Sequence, residues 1–284
     1  MSEKTIRMAT RGSQLARTQA GLVAGALEAL GVRVKQVLVS TRGDRDQTTD
    51  LTRLGGKGLF VKEVEQYLLD GRADIAVHSG KDLPYSLADG LVIAGVPEAE
   101  DCRDVLVLRK GCTAPEVIGT GSPRRETECR TFYPDARYES IRGNVDTRLR
   151  KLQDGQYDAI LLAKAGLNRL DADLSAFDVR VFSPQEFLPS ACQGILAVEC
   201  RETDLEIRHL LEAVSDPVSK RRFEAERALF SRMQADCSVP LGVHCDVEED
   251  GSLTLSALYD DRKSQRNGRD LTLLCEEILQ ELGL

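Results

Sequence analysis

The sequence contains no tryptophan, and only 5% of its 284 residues are aromatic. Base-stacking platforms need more than that, and a net charge of −8 removes the broad basic face that duplex nucleic acid requires. No apolar run approaches the ~20 residues of a membrane-spanning helix, so no membrane partner is expected. The opening residues MSEKTIRMATRGS hold no apolar export region. A cytoplasmic protein with reduced thiols is therefore expected. None of the eight cysteines forms a CxxC pair, and the three histidines are scattered. His244-Cys245, following Cys237, is the one grouping that approaches a metal site. Its spacing fits no zinc pattern, and no metal is expected.

What is present is ordinary globular composition: 42% hydrophobic and 30% charged residues, in a chain long enough for two or three domains. The first ~95 residues alternate strand and helix patterns. Ile6–Ala9 reads as a strand, Ser13 as the N-cap of a helix closed by Gly31, and Val34–Val39 as a second strand. Thr41–Gly58 is polar and glycine-rich and reads as a mobile loop. Phe60, Val64 and Leu68 mark a helix, and Ile75–Val77 and Leu91–Ala94 are strand-like. Pro97–Asp101 reads as a linker into a second α/β region. Its strands are expected at Val105–Leu108, Val117–Ile118, Tyr138–Ile141, Ala159–Leu162 and Val179–Phe182. Its helices are expected to start at Ser122, Asn144 and Ala165. Ser183-Pro184 and Leu188-Pro189 punctuate a second crossing, before a strand at Ile195–Val198. Asp216-Pro217 opens a charged helix, followed by strands Val239–Val247 and Leu253–Leu258 and a final helix from about Leu271 to Leu282.

The arginines fall in strand-to-helix turns. Arg11 precedes the first helix, Arg124 and Arg125 open another, and Arg142 leads into a third that carries Arg148 one turn inside. In open α/β sheets ligands bind at the carboxyl ends of strands, where helix N-termini offer free N–H groups. Guanidinium forks add bidentate binding of carboxylate or phosphate. A cationic site in a chain of net charge −8 points to a polyanionic ligand. Ser79-Gly80-Lys81-Asp82 follows an apolar strand; Lys81 and Asp82 form either a plain ion pair or a site at which Asp82 stabilises a cation or moves protons. His78, inside the apolar run, reads as a satisfied core group. Cys237 lies in a loop bounded by Pro240, either an inert thiol or an attachment point.

Several segments, in order, resemble the porphobilinogen deaminase (hydroxymethylbilane synthase) family. They are Ala9–Ser13, Leu54–Phe60, Ala73–Asp82, Arg142–Leu149, Tyr157–Ile160, and Gln193-Gly194 ahead of Glu199–Arg201. The resemblance implies two α/β lobes of the type II periplasmic-binding-protein kind, with the chain crossing between them twice, and a small C-terminal α/β domain. The expected boundaries are 1–96 with 195–214, then 101–190, then 218–284. It implies a cytoplasmic, monomeric transferase of tetrapyrrole (haem) biosynthesis. Such an enzyme condenses four porphobilinogens head to tail, releases ammonia, and frees hydroxymethylbilane by hydrolysis. Its partners are porphobilinogen and the growing polypyrrole chain.

By the same resemblance, Cys237 holds a dipyrromethane cofactor through a thioether. Ser13, Ser79, Lys81, Thr120 and Ser122 bind that cofactor with Arg124, Arg125, Arg142, Gly143 and Ala163. Arg11, Arg148, Arg169 and Gln193 bind substrate. Asp82 is the catalytic carboxylate, placed to stabilise the cationic azafulvene left by ammonia loss. Thr41–Gly58 is the lid. A chain of six pyrroles carries about twelve carboxylates, which suits arginine-rich strand ends.

The sequence departs from the family at three places. Gly121-Ser122-Pro123 stands for two serines and a leucine, and Ala235-Asp236 precedes the cysteine where the family has glycine and a small residue. Asp260–Asn267 replaces a longer stretch that usually includes a strand. The rival readings are a non-catalytic two-lobe binder of a polycarboxylate or other small anion, and a phosphate-binding transferase. Neither a Walker loop nor a Rossmann glycine pattern supports the latter.

Overall fold

The structure is a computed structural model that describes residues 5–41, 61–234 and 239–284. Contacts divide the chain into two compact units, 1–100 with 195–224 and 101–194 with 225–284.

The first unit begins with β1 (Thr5–Arg11), α1 (Gln14–Ala29) and β2 (Arg33–Val39). Then come α2 (Lys62–Leu69), β3 (Ile75–Ser79), a 3-10 turn (Gly80–Asp82) and β4 (Leu91–Gly95). The second unit continues with β5 (Asp104–Arg109), β6 (Val117–Gly119), α3 (Pro123–Arg130) and β7 (Arg137–Glu139). It goes on through α4 (Val145–Gln153), β8 (Ala159–Ala163), α5 (Lys164–Arg169) and β9 (Phe177–Val181). The chain then returns through β10 (Leu196–Arg201), α6 (Leu205–Ala213) and α7 (Pro217–Met233). It finishes with β11 (Leu241–Val247), β12 (Leu253–Tyr259), β13 (Arg262–Gly268) and α8 (Leu271–Leu282).

The two large sheets have the same plan. The first runs β2-β1-β3-β10-β4 and the second β7-β6-β8-β5-β9. In each, three parallel strands are followed by one that runs antiparallel to both its neighbours. This repeated order is the type II lobe expected from the sequence. Both sheets are covered on both faces, so the strands read as near-continuous apolar runs. On β5 the period of two sends Val105 and Val107 to one cluster with Leu152 and Ile160, and Leu106 and Leu108 to another with Ile118 and Phe187. Each fully buried leucine of this kind contributes about 2 kcal/mol.

Local signals agree with the observed ends. Ser13 Oγ accepts the N–H of Ala16 to cap α1, and Asn144 Oδ1 accepts that of Thr147 to cap α4. Asp216 Oδ2 accepts the N–H of Ser219 at the start of α7, where Pro217 needs no partner. Phe223, Phe230 and Met233 of that helix are buried.

Two elements differ from expectation. The stretch Asp260–Asn267, read as having lost a strand, contains one: β13 pairs with β12 from Leu253↔Gly268 to Tyr259↔Arg262. It was hidden because only Ser264 of RKSQRNG is buried, so no apolar alternation marks it. Asp260 at φ +59 makes the tight turn instead. The helix α6 was not anticipated. It buries only Ile207 and Leu211 and is capped by Asp204, which accepts the N–H of Ile207. The expected lid residues 42–58 lie outside the described residues.

Candidate functional site

In the first unit the predicted residues gather at the carboxyl ends of β1 and β3. Arg11 ends β1, and Ser13 opens α1 two residues later. Ser79 ends β3, and its hydroxyl exchanges hydrogen bonds with the Gln19 amide of α1, at 2.9 Å from Nε2 and 3.2 Å to Oε1. Gln19 is buried, so this contact fixes the Ser79 rotamer; sequence reasoning missed it because Gln19 sits inside a helix pattern. Lys81 and Asp82 follow in the 3-10 turn, both half-buried. His78 is a satisfied core group as expected, its Nε2 lying 3.0 Å from Glu199 Oε2.

In the second unit an arginine cluster forms at the carboxyl ends of β6, β7 and β8. Thr120 follows β6 and its Oγ1 accepts the N–H of Ser122; Ser122 Oγ in turn caps α3 by accepting the N–H of Arg125. Pro123 is the first residue of α3, so the departure at 121–123 leaves the helix start intact. Arg124 and Arg125 are 4% and 8% exposed and share one carboxylate. Arg124 Nη1 donates to Asp104 Oδ2 at 2.8 Å, and Arg125 Nε to Oδ1 at 2.8 Å. Arg124 Nη1 also donates to Leu188 O at 2.7 Å, and Arg125 Nη1 to Leu161 O. Asp104 is fully buried. It reaches this edge because β5 runs antiparallel to β8, which puts Asp104 opposite Ala163, the last residue of β8.

Arg142 and Gly143 lead into α4. Gly143 has φ +113, and a Cβ there would sit 2.7 Å from Thr147 Cγ2, so the position requires glycine. The carbonyl of Gly143 accepts from Arg148 Nε at 2.8 Å. Burial, with the like charges of Arg125 and Arg142, pulls the Arg148 guanidinium down to about 10. Burial likewise lowers Arg125, although Asp104 opposes it. Among the described residues Asp104 thus pairs with Arg124 and Arg125, while Arg148 donates to the Gly143 carbonyl. The surplus positive charge of the half-buried Arg148 beside them is stabilised by an added anion.

Arg169 and Gln193 are placed differently. Arg169 Nη2 donates to Gly194 O, and Gln193, 1% exposed, donates from Nε2 to Cys102 O. Both therefore brace the turn at 190–194, where Cys192 takes φ +58. That turn is also held by Glu226 of α7, which accepts the N–H groups of Cys192 and Cys245. His244 lies against the same acid, its Nδ1 3.5 Å from Glu226 Oε1 and its Nε2 3.0 Å from Asp246 Oδ1. Burial opposes the imidazolium, and Asp246, Cys102 and Glu226 outweigh it, pushing His244 up to about 11. Burial pushes the core thiols Cys129 and Cys200 up to about 11 as well. Cys237 lies outside the described residues.

Comparison with known proteins accounts for nearly the whole chain. Residues 6–209 match the family profile described as porphobilinogen deaminase, dipyromethane cofactor binding domain, and residues 220–272 match its C-terminal domain. A porphobilinogen deaminase of Syntrophobacter fumaroxidans is 44% identical, over 91% of this chain and 85% of its own. One of Streptococcus sanguinis is 39% identical, over 99% of this chain and 96% of its own. Among solved structures, the periplasmic VFT2 domain of Bordetella pertussis BvgS aligns with 80% of this chain and 93% of its own, at 14% identity and a TM-score of 0.45.

Proposed function

The chain belongs to the porphobilinogen deaminase family, and from that premise we propose how its own residues divide the work. The activity is that of hydroxymethylbilane synthase: porphobilinogens are joined head to tail with release of ammonia, on a covalently held dipyrromethane cofactor. The rival reading as a non-catalytic binder is not favoured by these matches.

The observation that carries the assignment of roles is the arginine cluster in which, among the described residues, Asp104 pairs with Arg124 and Arg125 and Arg148 stands beside them. The cofactor is a polycarboxylate, and a buried site with surplus positive charge fits it. When bound, it supplies the pyrrole carbon on which the product chain is built. Arg124, Arg125, Arg142 and Arg148 hold acetate and propionate groups by charge-assisted hydrogen bonds. Thr120, Ser122, Gly143 and Ala163 present the strand ends and helix starts around them. On the first unit Ser13, Ser79 and Lys81 serve the cofactor, and Arg11 binds substrate carboxylate. Asp82 is the catalytic carboxylate. It accepts pyrrole N–H hydrogen bonds, stabilises the cation that porphobilinogen becomes on losing ammonia, and takes up the proton released when the new bond forms. Arg169 and Gln193 contribute to substrate binding through the turn they brace.

Cys237 is the attachment residue in this reading, and the protein acts as a cytoplasmic monomer. Intact mass in denaturant tests the first point: an excess of two linked pyrrole units, mapped to the Cys237 peptide, is expected. An adduct on another cysteine with Cys237 unmodified overturns the assignment. Ammonia release from porphobilinogen tests the activity, and light scattering on a sizing column tests the monomer.

A further inference from the structure

Glu128 is a buried acid that the chemistry above does not use. It lies on α3 one turn beyond Arg124 and is 3% exposed. The two residues hold the backbone of one residue, Leu188, by its N–H and its carbonyl. Arg124 Nη1 donates to the carbonyl of Leu188 at 2.7 Å, and Glu128 Oε2 accepts the N–H of Leu188 at 2.9 Å. The ring of Phe187 lies 5.7 Å from the Arg124 guanidinium carbon. The charge of Glu128 is met by Lys263 on β13, whose Nζ is 2.9 Å from each carboxylate oxygen. That strand belongs to the three-stranded C-terminal sheet.

Residues four apart on a helix are neighbours, and an arginine and a glutamate so spaced pair readily. A buried carboxylate that loses its cation must find another or take up a proton. Without Lys263, the cation that already shares the Leu188 backbone with Glu128, four residues back on the helix, is Arg124. We propose that Lys263 is a positioning residue: by holding the charge of Glu128, it leaves the Arg124 guanidinium aimed at Asp104 and at an anionic ligand. The C-terminal sheet thereby sets the geometry of the arginine cluster. The proposal rests on the reading of Arg124 as a ligand-binding residue.

The test compares the parent holoenzyme with Lys263→Met, Lys263→Arg and the double variant Lys263→Met/Glu128→Gln, using porphobilinogen as substrate. Lys263→Met is expected to raise KM about tenfold, the size of one weakened charge-assisted hydrogen bond, with kcat changed far less. Lys263→Arg is expected to stay near the parent. The decisive result is the double variant: removing the stranded acid as well restores KM, although two native contacts are now missing. A merely structural role predicts the opposite, a double variant no better than Lys263→Met, and that outcome or an unchanged KM in Lys263→Met overturns the proposal. The Arg124 Nε–H resonance of 15N-labelled protein gives a reading independent of turnover. It is expected to shift in Lys263→Met and return in the double variant; a signal that stays put overturns the proposal. A parent enzyme that does not consume porphobilinogen would instead count against the functional reading, and the resonance comparison would still stand.

Discussion

Asp104 opens β5 directly opposite Ala163, the residue that closes β8. An antiparallel strand thus delivers an acid to the edge where the parallel strands deliver arginines. The consequence is a graded set of guanidiniums: Arg124 and Arg125 are tied to a carboxylate, and Arg148, among the described residues, to the Gly143 carbonyl.

That grading separates stability from binding. Arg148→Met removes a half-buried cation that sits among like charges, so its melting temperature is expected to rise by about a few degrees while porphobilinogen consumption falls at least tenfold. Calorimetry and an ammonia assay on one preparation check both. A lower melting temperature would show that Arg148 has a compensating acid.

Arg125→Leu behaves in the opposite way. It leaves Asp104 buried with one cation fewer, a change that typically costs about 3–5 kcal/mol. Denaturant unfolding is expected to show a loss of that order together with lost activity. Asp104→Asn is expected to lose both as well, since it strips two guanidiniums of their shared carboxylate.

Asp82→Asn tests the chemistry itself. The amide keeps the shape of the side chain and loses its charge and basicity. Turnover is expected to fall by about 10²–10⁴, with melting and cofactor content unchanged. Near-normal turnover would make Asp82 a structural residue.

His244 offers a test by titration. Against the opposing effect of burial, Asp246, Cys102 and Glu226 push it up to about 11 in the folded protein, above the ordinary 6.5 of an imidazole. The stabilisation it gives is therefore full below about pH 6.5 and is lost as pH rises toward 11. NMR is expected to show His244 still protonated at pH 9. The stability gap between the parent and His244→Gln is expected to shrink from pH 7 to pH 10.

Much of this was legible in the sequence. Strand ends and helix caps at Ser13, Ser122 and Asn144 follow from local signals, and the arginine turns point to a polyanionic ligand. Asp104 was not legible, because an acid that begins a strand looks like any polar boundary; only the reversed direction of β5 brings it to the site. The burial of Arg124 and Arg125 was equally hidden, since nothing local distinguishes a paired guanidinium from a solvated one. The polar strand β13 escaped for want of apolar alternation, and with it the Lys263–Glu128 contact.

The strand order also dictates a sequence in time. β4 lies at the edge of the first sheet, bonded to β10, and β10 is made only after all of β5 to β9. As the chain leaves the ribosome, β1, β2 and β3 can pair early, but β4 has no neighbour until Leu196–Arg201 emerges. The second large sheet needs nothing beyond Val181 and is complete first. A nascent chain that has emerged only to residue 194 therefore carries a finished later-made sheet and an earlier-made one still waiting for its fourth and fifth strands.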